Sequence, residues 1–318
     1  MKEKLPLVTV VTATYNNFSH IENTINSVLT QDYPHIEYII TDDGSASFPL
    51  NLIENILSNN MQKNYTYRIM NGRTNVGTVR NLNRAYKFAS GDYIINLSCG
   101  DVFYNNSVVT NIVNRFILND SDVIATTRIV YSNDFEPAFL LPHYYDRQKI
   151  DEAKTGIEQY KLLILGTFYD MASGSAMSYS KRILNQLNYL DEKYILWEDG
   201  PFLSKFLQNN KIDCAYDIIS IWYETGGVSS NKPSNKKNKL YYDTLKFNSS
   251  ERMMRLDLFN SKEIRLIKLQ NYLFKYRYSV LRHLFKILYF DSYIILRNYK
   301  KNREMHINED ASIIKSIK

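Results

Sequence analysis

The sequence predicts an α/β protein with a mostly parallel sheet flanked by helices and a C-terminal helical extension. Short β-branched runs alternate with segments of helical periodicity over most of the chain, which indicates a parallel sheet covered by helices. The run at residues 7–12 is apolar or β-branched throughout, as expected of a strand buried on both faces. A polar linker precedes a last helical stretch, so we expect a domain of residues 1–227 and a basic amphipathic tail of residues 228–318.

The first elements predict a βαβ unit that is then repeated. Residues 7–12 predict a buried strand, and apolar positions recur at helical spacing over residues 21–29. Pro34 ends this helix before a strand over residues 36–41. The same pattern predicts a helix around residues 52–57, a strand at 65–70, a helix at 79–89 and a strand at 93–97.

The later elements follow a less regular pattern. A helix at 108–118 and a strand at 122–126 continue the sheet, whereas residues 132–156 are irregular and rich in aromatics. We interpret that region as an insertion that covers the substrate. A strand at 175–179 leads into a helix from Ser180, and a further helix begins at Glu198 or Asp199, with Pro201 in its first turn.

Composition and charge limit the class of protein. The 318 residues are 44% hydrophobic and include two distant cysteines, which indicates a globular protein of a reducing cytosol without a disulfide framework or structural zinc site. No signal-peptide run follows Met1. Residues 228–318 hold 20 Lys and Arg against 8 Asp and Glu, while residues 1–227 hold 19 against 25. A basic tail on an acidic body argues against a nucleic-acid partner, and we expect a cytoplasmic protein at the inner face of the cell membrane.

Two groups of carboxylates stand where elements begin or end. Asp42 and Asp43 follow the strand at 36–41, and ligands of open α/β sheets bind beyond the carboxyl ends of strands. The alternative is that both aspartates cap the following turn. Glu198 and Asp199 follow Trp197 at a helix start, where the helix dipole favours negative charge with or without a catalytic role.

Six segments together resemble the ordered sequence blocks of family 2 glycosyltransferases with the GT-A fold. The segments are TATYN (12–16), TDDGS (41–45), NVGTVRN (75–81), SGDY (90–93), LSCGD (97–101) and WED (197–199). The resemblance implies an inverting transfer of a sugar from a nucleotide diphosphate, UDP in our prediction, to a hydroxyl. The acceptor would be a glycan or lipid-linked glycan in cell-surface polysaccharide or glycoprotein glycan synthesis.

The resemblance also implies roles for these residues. Asp199 would be the base that removes the proton of the attacking hydroxyl, and Glu198 would orient it or the acceptor. Asp43 would contact the uracil, with Asp42, Thr14 and Tyr15 beside it; a carboxylate accepts from the N3–H of the base and a tyrosine ring offers a flat face.

Arg80 and Asn81 form a polar pair on the helix that follows residues 75–77. The Arg80 guanidinium would reach a pyrophosphate oxygen or hold one of the carboxylates. A solvated arginine on the helix face is the alternative, and the sequence leaves both open. Arg73 and Arg84 are further candidates.

The metal motif of the family is altered in this chain. Ser98 and Gly100 stand at the positions of the two Asp-x-Asp aspartates, and Asp101 is the one carboxylate that remains. A Mn²⁺ or Mg²⁺ ion held by a diphosphate needs few protein ligands, so we expect Asp101, with Ser98 beside it, at a divalent-cation site. A helix cap is the alternative for Asp101.

Other segments carry weaker predictions. Small residues at 173–176 would let donor and acceptor sugars approach closely, and residues 222–229 would close over the donor with a hinge at Gly226-Gly227. An apolar stripe over residues 263–298 predicts an amphipathic helix that lies on a membrane, packs on the body or joins a second subunit.

Two other classes of protein compete with this prediction. A non-catalytic partner subunit would keep the fold and stabilise an active transferase, and the altered metal motif favours it. The retained Glu198 and Asp199 argue against that class. A sugar nucleotidyltransferase is disfavoured because no Gly-rich, Lys- or Arg-bearing loop for a triphosphate follows the first strand.

Overall fold

A computed structural model describes residues 5–60, 62, 64–131, 137–142, 144–165, 171–172, 174–223 and 239–275. Its centre is a nine-stranded mixed sheet. The strands are β1 (Val8–Thr14), β2 (Ile36–Asp42), β3 (Thr66–Asn71), β4 (Tyr93–Asn96), β5 (Val102–Phe103), β6 (Val123–Tyr131), β7 (Pro137–Leu141), β8 (Met177–Ser180) and β9 (Asp213–Tyr223). They follow the order β3-β2-β1-β4-β8-β6-β9-β5, and β7 pairs with β6.

Helices cover both faces of this sheet. They are α1 (Ile21–Leu29), α2 (Leu50–Asn60), α3 (Thr78–Phe88), α4 (Val108–Asn119), α5 (Tyr144–Glu152), α6 (Gly156–Leu165), α7 (Lys181–Gln186), α8 (Asp199–Phe206), α9 (Lys239–Ser249), α10 (Glu251–Met254) and α11 (Ser261–Lys275). Short 3₁₀ turns lie at Gly174–Ala176 and Leu256–Leu258.

The first half of the sheet is parallel, as the βαβ pattern predicts. Strands β1, β2, β3 and β4 pair in parallel, and Thr14 of β1 lies opposite Asp42 of β2. Every residue of β2 is buried, which explains its apolar run. The register brings the carboxyl ends of β1 and β2 to the same edge of the sheet.

The second half mixes directions. Strand β8 lies between β4 and β6 and runs antiparallel to both, while β9 runs parallel to β6. Strands β5 and β9 have no counterpart among the predicted elements, and the described part of the less regular region, residues 132–156, contains β7 and α5. Helix α5 was not predicted, because charged residues interrupt its apolar periodicity.

The described C-terminal helices pack on the body. Phe247 of α9, Ile267 of α11 and Phe259 between them are buried in the hydrophobic cluster that also contains residues of α3 and α8. Of the predicted stripe, Leu266 and Leu273 are buried and Leu269 is 41% exposed. The predicted boundary at 227/228, the linker after it and residues 276–298 of the predicted helix lie outside the described residues.

None of the helices in the described ranges combines the length and apolar character needed to cross a bilayer.

Candidate active site

The carboxylate of Asp42 stabilises the turn that follows β2. Its carboxylate is fully buried and accepts from the Thr14 hydroxyl at 2.9 Å, the Ser45 hydroxyl at 2.6 Å and the Ser45 backbone N–H at 2.7 Å. These contacts correspond to the turn-capping alternative. Asp42 and Thr14 therefore hold the shape of the strand edge.

Asp43 follows Asp42 and is 4% exposed. Its two oxygens accept from the backbone N–H groups of Val76, at 2.8 Å, and Gly77, at 2.9 Å. Burial raises the pKa of Asp43, while these two bonds and the charge of Arg84 act in the opposite direction. An ionised carboxylate has about four acceptor sites, so further acceptor capacity remains for a ligand N–H. Tyr15, 49% exposed at the end of β1, offers a ring on the same edge.

Arg84, rather than Arg80, is the arginine held at this edge. Its Nη2 donates to the Asp42 carbonyl oxygen at 2.6 Å and to the Thr41 hydroxyl at 3.0 Å. Arg80 instead forms an ion pair with Glu192, with side chains that are 58% and 42% exposed. Asn81 is buried and exchanges hydrogen bonds with Thr41. The structure thus places Arg80 on the exposed face of α3, and Asn81 in contact with Thr41 of β2.

Asp101 is a buried carboxylate without a hydrogen-bond partner in the described part of the chain. It is 2% exposed, and neither of its side-chain oxygens accepts a bond from a described residue. Burial raises the pKa of Asp101 well above its ordinary value, and the charge of Arg128 opposes that shift. A buried carboxylate without a hydrogen-bond partner is suited to bind a cation. Within the described residues, Asp101 does not belong to a group of three or more His, Cys, Asp or Glu arranged for a metal. Ser98 is exposed beside it.

A short chain of hydrogen bonds joins the end of β4 to the start of α8. Asn96, the last residue of β4, donates from Nδ2 to the Gly174 carbonyl oxygen at 3.2 Å. The Gly174 N–H donates to Oδ2 of Asp199, also at 3.2 Å. Asp199 Oδ1 accepts from the Gly200 N–H at 2.6 Å. The carboxylate of Asp199 therefore lies at the strand edge that leads into residues 97–101.

Glu198 lies in a tight pocket beside Asp199. A Cβ placed on Gly174 would come within 2.1 Å of Oε1 of Glu198, so a larger residue here would displace the Glu198 carboxylate. Burial, and then the charge of Asp199, raise the pKa of Glu198. The pKa values of Tyr86 and Tyr179 are raised by burial and further by the charge of Glu198. Two adjacent carboxylates in such a pocket share their ionisation, since like charges oppose each other.

The two acidic groups are connected through the loop before α3. Gly77, whose N–H binds Asp43, has a φ of +93°. A Cβ at Gly77 would lie 2.5 Å from Cγ2 of Ile195 and 2.6 Å from its carbonyl oxygen. The Val79 N–H donates to that same carbonyl at 3.2 Å. The loop that holds Asp43 therefore packs directly on the segment that leads into Glu198.

We expect Gly174→Ala to lower kcat at least about tenfold, because the added methyl group displaces the Glu198 carboxylate, and a misplacement of ~1 Å costs up to about 10²-fold in rate. Steady-state kinetics measure the loss. Gly91→Ala is the matched control, since its Cβ would clash with the backbone nitrogen of Thr9 at 2.5 Å, at the opposite end of β1 and β4. Equal kcat losses in the two variants would contradict the role of Gly174.

Sequence reasoning missed two contributors to this site. Arg128 of β6 donates to the Ser175 hydroxyl at 3.3 Å and places a cation near Asp101. Asn96 bridges β4 to the Gly174 turn. Arg128 belongs to no motif, and Asn96 precedes the LSCGD segment within the predicted strand at 93–97 but was given no role.

Two segments with weaker predictions are only partly described. Residue 173 of the small-residue segment lies outside the described residues, and so do residues 224–229 of the closing segment, which include the predicted hinge at 226–227. Their predicted roles stay predictions.

The nine-stranded mixed sheet with helices on both faces is that of a protein with the GT-A fold. The family model described as glycosyl transferase family 2 matches residues 9–187, more than half of the chain. The chain belongs to glycosyltransferase family 2. The family and fold predicted from the sequence are confirmed.

Similar proteins extend over different parts of the chain. The putative teichuronic acid biosynthesis glycosyltransferase TuaG of Bacillus subtilis is 33% identical over 96 residues, which are 30% of this chain and 36% of that protein. The alignments with three other curated relatives span 30%, 63% and 40% of those proteins, so the chain covers less than two thirds of their lengths.

Two solved structures share the fold. S. aureus TarS 1–349 in complex with UDP-GlcNAc matches with a TM-score of 0.60 and 18% identity, over 84% of this chain and 72% of that one. The mannosyltransferase PcManGT from Pyrobaculum calidifontis, in complex with GDP-Man and Mn²⁺, matches with a TM-score of 0.57 and 13% identity. The match covers 85% of this chain and 70% of that one.

Proposed function

We propose that the chain is an inverting glycosyltransferase that moves a sugar from a UDP-sugar to a hydroxyl of a glycan or lipid-linked acceptor during cell-surface polysaccharide synthesis. The observation that carries this proposal is the hydrogen-bonded bridge from Asn96 through Gly174 to Asp199, which sets a carboxylate against the strand edge that bears Asp101. The UDP-GlcNAc bound to TarS and the polysaccharide context in the name of TuaG support the donor and acceptor classes.

The chemistry follows from how the two carboxylates differ. The backbone N–H groups of Gly174 and Gly200 donate to Asp199, which favours its ionised form as a base. Burial favours the protonated form of Glu198, so the pair can hold one proton on Glu198 while Asp199 accepts the proton of the acceptor. The acceptor oxygen attacks the anomeric carbon, its proton passes to Asp199, and the bond to the leaving UDP breaks on the opposite face, which inverts the configuration.

On the donor side, the proposal assigns uracil recognition to Asp43 and Tyr15, on a turn shaped by Asp42 and Thr14. Asp101 would hold Mn²⁺ or Mg²⁺ as its one carboxylate ligand, with Ser98 nearby. A bound cation supplies positive charge to the leaving diphosphate. Arg128, near Asp101, adds a fixed cation on the same side.

A panel of nucleotide sugars tests the proposal, assayed for binding and turnover with Mn²⁺ and with EDTA. We expect uridine nucleotides to bind in preference to guanosine nucleotides, one UDP-sugar to turn over, and EDTA to lower turnover about 10²-fold. Asp101→Asn should remove most of the response to Mn²⁺. Absence of uridine-nucleotide binding would contradict the proposal, and binding without turnover of any donor would favour the non-catalytic partner subunit.

The proposed location is the cytoplasmic face of the cell membrane, where a lipid-linked acceptor would be reached. Residues 276–318 would provide the membrane contact or the contact with a second copy.

A further inference from the structure

Asp243 of α9 binds the backbone of the segment that leads into the catalytic carboxylates. It is 1% exposed, and its Oδ2 accepts three N–H groups: from Ile195 at 2.9 Å, Leu196 at 2.7 Å and Trp197 at 3.2 Å. The segment lies before the first turn of α8 and belongs to no helix or strand. Its backbone donors therefore depend on this one carboxylate.

Two further contacts hold the same segment against α9. The ring of Phe247 packs on Trp197 with centroids 4.7 Å apart, and Lys246 donates to the Lys193 carbonyl oxygen. On its other side the segment meets Gly77, as described above. The segment is thus fixed between α9 and the loop that holds Asp43.

This arrangement has a direct consequence for Glu198 and Asp199. They are the next two residues of the chain, so the position of the segment sets where their side chains begin. Asp243 contacts neither carboxylate and acts through the backbone. It lies 46 residues from Trp197 in sequence and beyond residues 9–187 matched by the family model.

We propose that Asp243 is a positioning residue that fixes Glu198 and Asp199 for catalysis, so that α9 of the C-terminal extension is part of the catalytic apparatus. The proposal rests on the proposed function, in which Asp199 is the base. The carboxylate is suited to the task because an ionised acceptor can receive several N–H donors at once, as at the start of a helix.

The test compares Asp243→Ala and Asp243→Asn in the full chain, with kcat, donor KM, UDP affinity and Tm measured for each. We expect Asp243→Ala to lower kcat about 10²-fold, because a base displaced by ~1 Å loses that much rate. UDP affinity should stay within about threefold, because Asp243 does not contact Asp43, whose own donors are the backbone N–H groups of Val76 and Gly77. Asp243→Asn should retain more activity, since an amide oxygen still accepts from the segment.

Asp213→Ala is the matched control. Asp213 is also a mostly buried carboxylate with several donors, from Arg115, Asn119 and Ser121, but it lies at the start of β9, at the sheet edge opposite the site. We expect it to lower Tm comparably and to leave kcat unchanged in the folded enzyme. Equal kcat losses in Asp243→Ala and Asp213→Ala, or a parallel loss of UDP affinity in Asp243→Ala, would overturn the inference.

A double variant separates this inference from the assignment of the base. If Asp243 acts through Asp199, Asp199→Asn/Asp243→Ala should be no slower than Asp199→Asn alone. A large additional loss in the double variant would overturn the inference. Full turnover in Asp199→Asn would instead overturn the proposed function, while the comparison with Asp213→Ala still decides whether Asp243 controls kcat.

Discussion

Asp199→Asn is expected to lose about 10²- to 10⁴-fold in kcat while binding UDP almost as tightly as the wild type, because a general base contributes that much to rate. The amide still accepts a backbone N–H from Gly174 or Gly200, so the turn should keep its shape, but it takes no proton from the acceptor. Turnover of the UDP-sugar and calorimetric titration with UDP measure the two quantities.

Asp191→Asn is the control for this substitution. Asp191 is an exposed carboxylate in the same part of the chain; it forms an ion pair with Lys193 at 3.1 Å and accepts from the Lys193 N–H. It should leave kcat unchanged. Wild-type turnover in Asp199→Asn would refute the assignment of the base.

Asp43→Asn has the second largest expected effect, a loss of about 10- to 100-fold in UDP affinity. A hydrogen bond to a charged acceptor is worth about 1.5–3 kcal/mol, and the substitution also turns an N–H donor toward Val76 or Gly77. Because the pair of Glu198 and Asp199 is untouched, kcat at saturating donor should change much less. Calorimetry with UDP measures the loss of affinity, and turnover at saturating donor measures the change in kcat.

The control for Asp43 is Asp92→Asn. Asp92 is exposed and accepts from the Leu7 N–H at 2.9 Å, at the end of the sheet away from the site. UDP affinity should be unaffected there. If Asp43→Asn also bound UDP with wild-type affinity, Asp43 would have no part in recognising the base.

Local patterns in the sequence were sufficient for the parallel half of the fold. Burial on both faces leaves a mostly apolar run in β2, and turn residues with paired aspartates mark its end, so the position of Asp42 and Asp43 could be predicted. Strand β8 was located, but not its antiparallel direction between β4 and β6. Direction depends on long-range pairing that periodicity does not encode.

The same limit explains the outcome at the candidate site. The sequence placed Arg80 and Arg84 on one helix, but which of them faces β2 depends on how α3 packs. The role of Asp243 could not be foreseen, since its partners are backbone N–H groups and backbone donors leave no sequence signal. Motif order predicts the residues of the site, and only the fold shows how their side chains are supported.

The central claim is that the nucleotide site at Asp43 and the base at Asp199 face one cleft. A crystal structure of the Asp199→Asn variant with its intact UDP-sugar tests this most directly. We predict the uracil N3 within about 3 Å of the Asp43 carboxylate and the anomeric carbon facing residue 199 across a space that fits one hydroxyl. A uridine bound away from Asp43, or a sugar whose diphosphate lies between the anomeric carbon and residue 199, would contradict it.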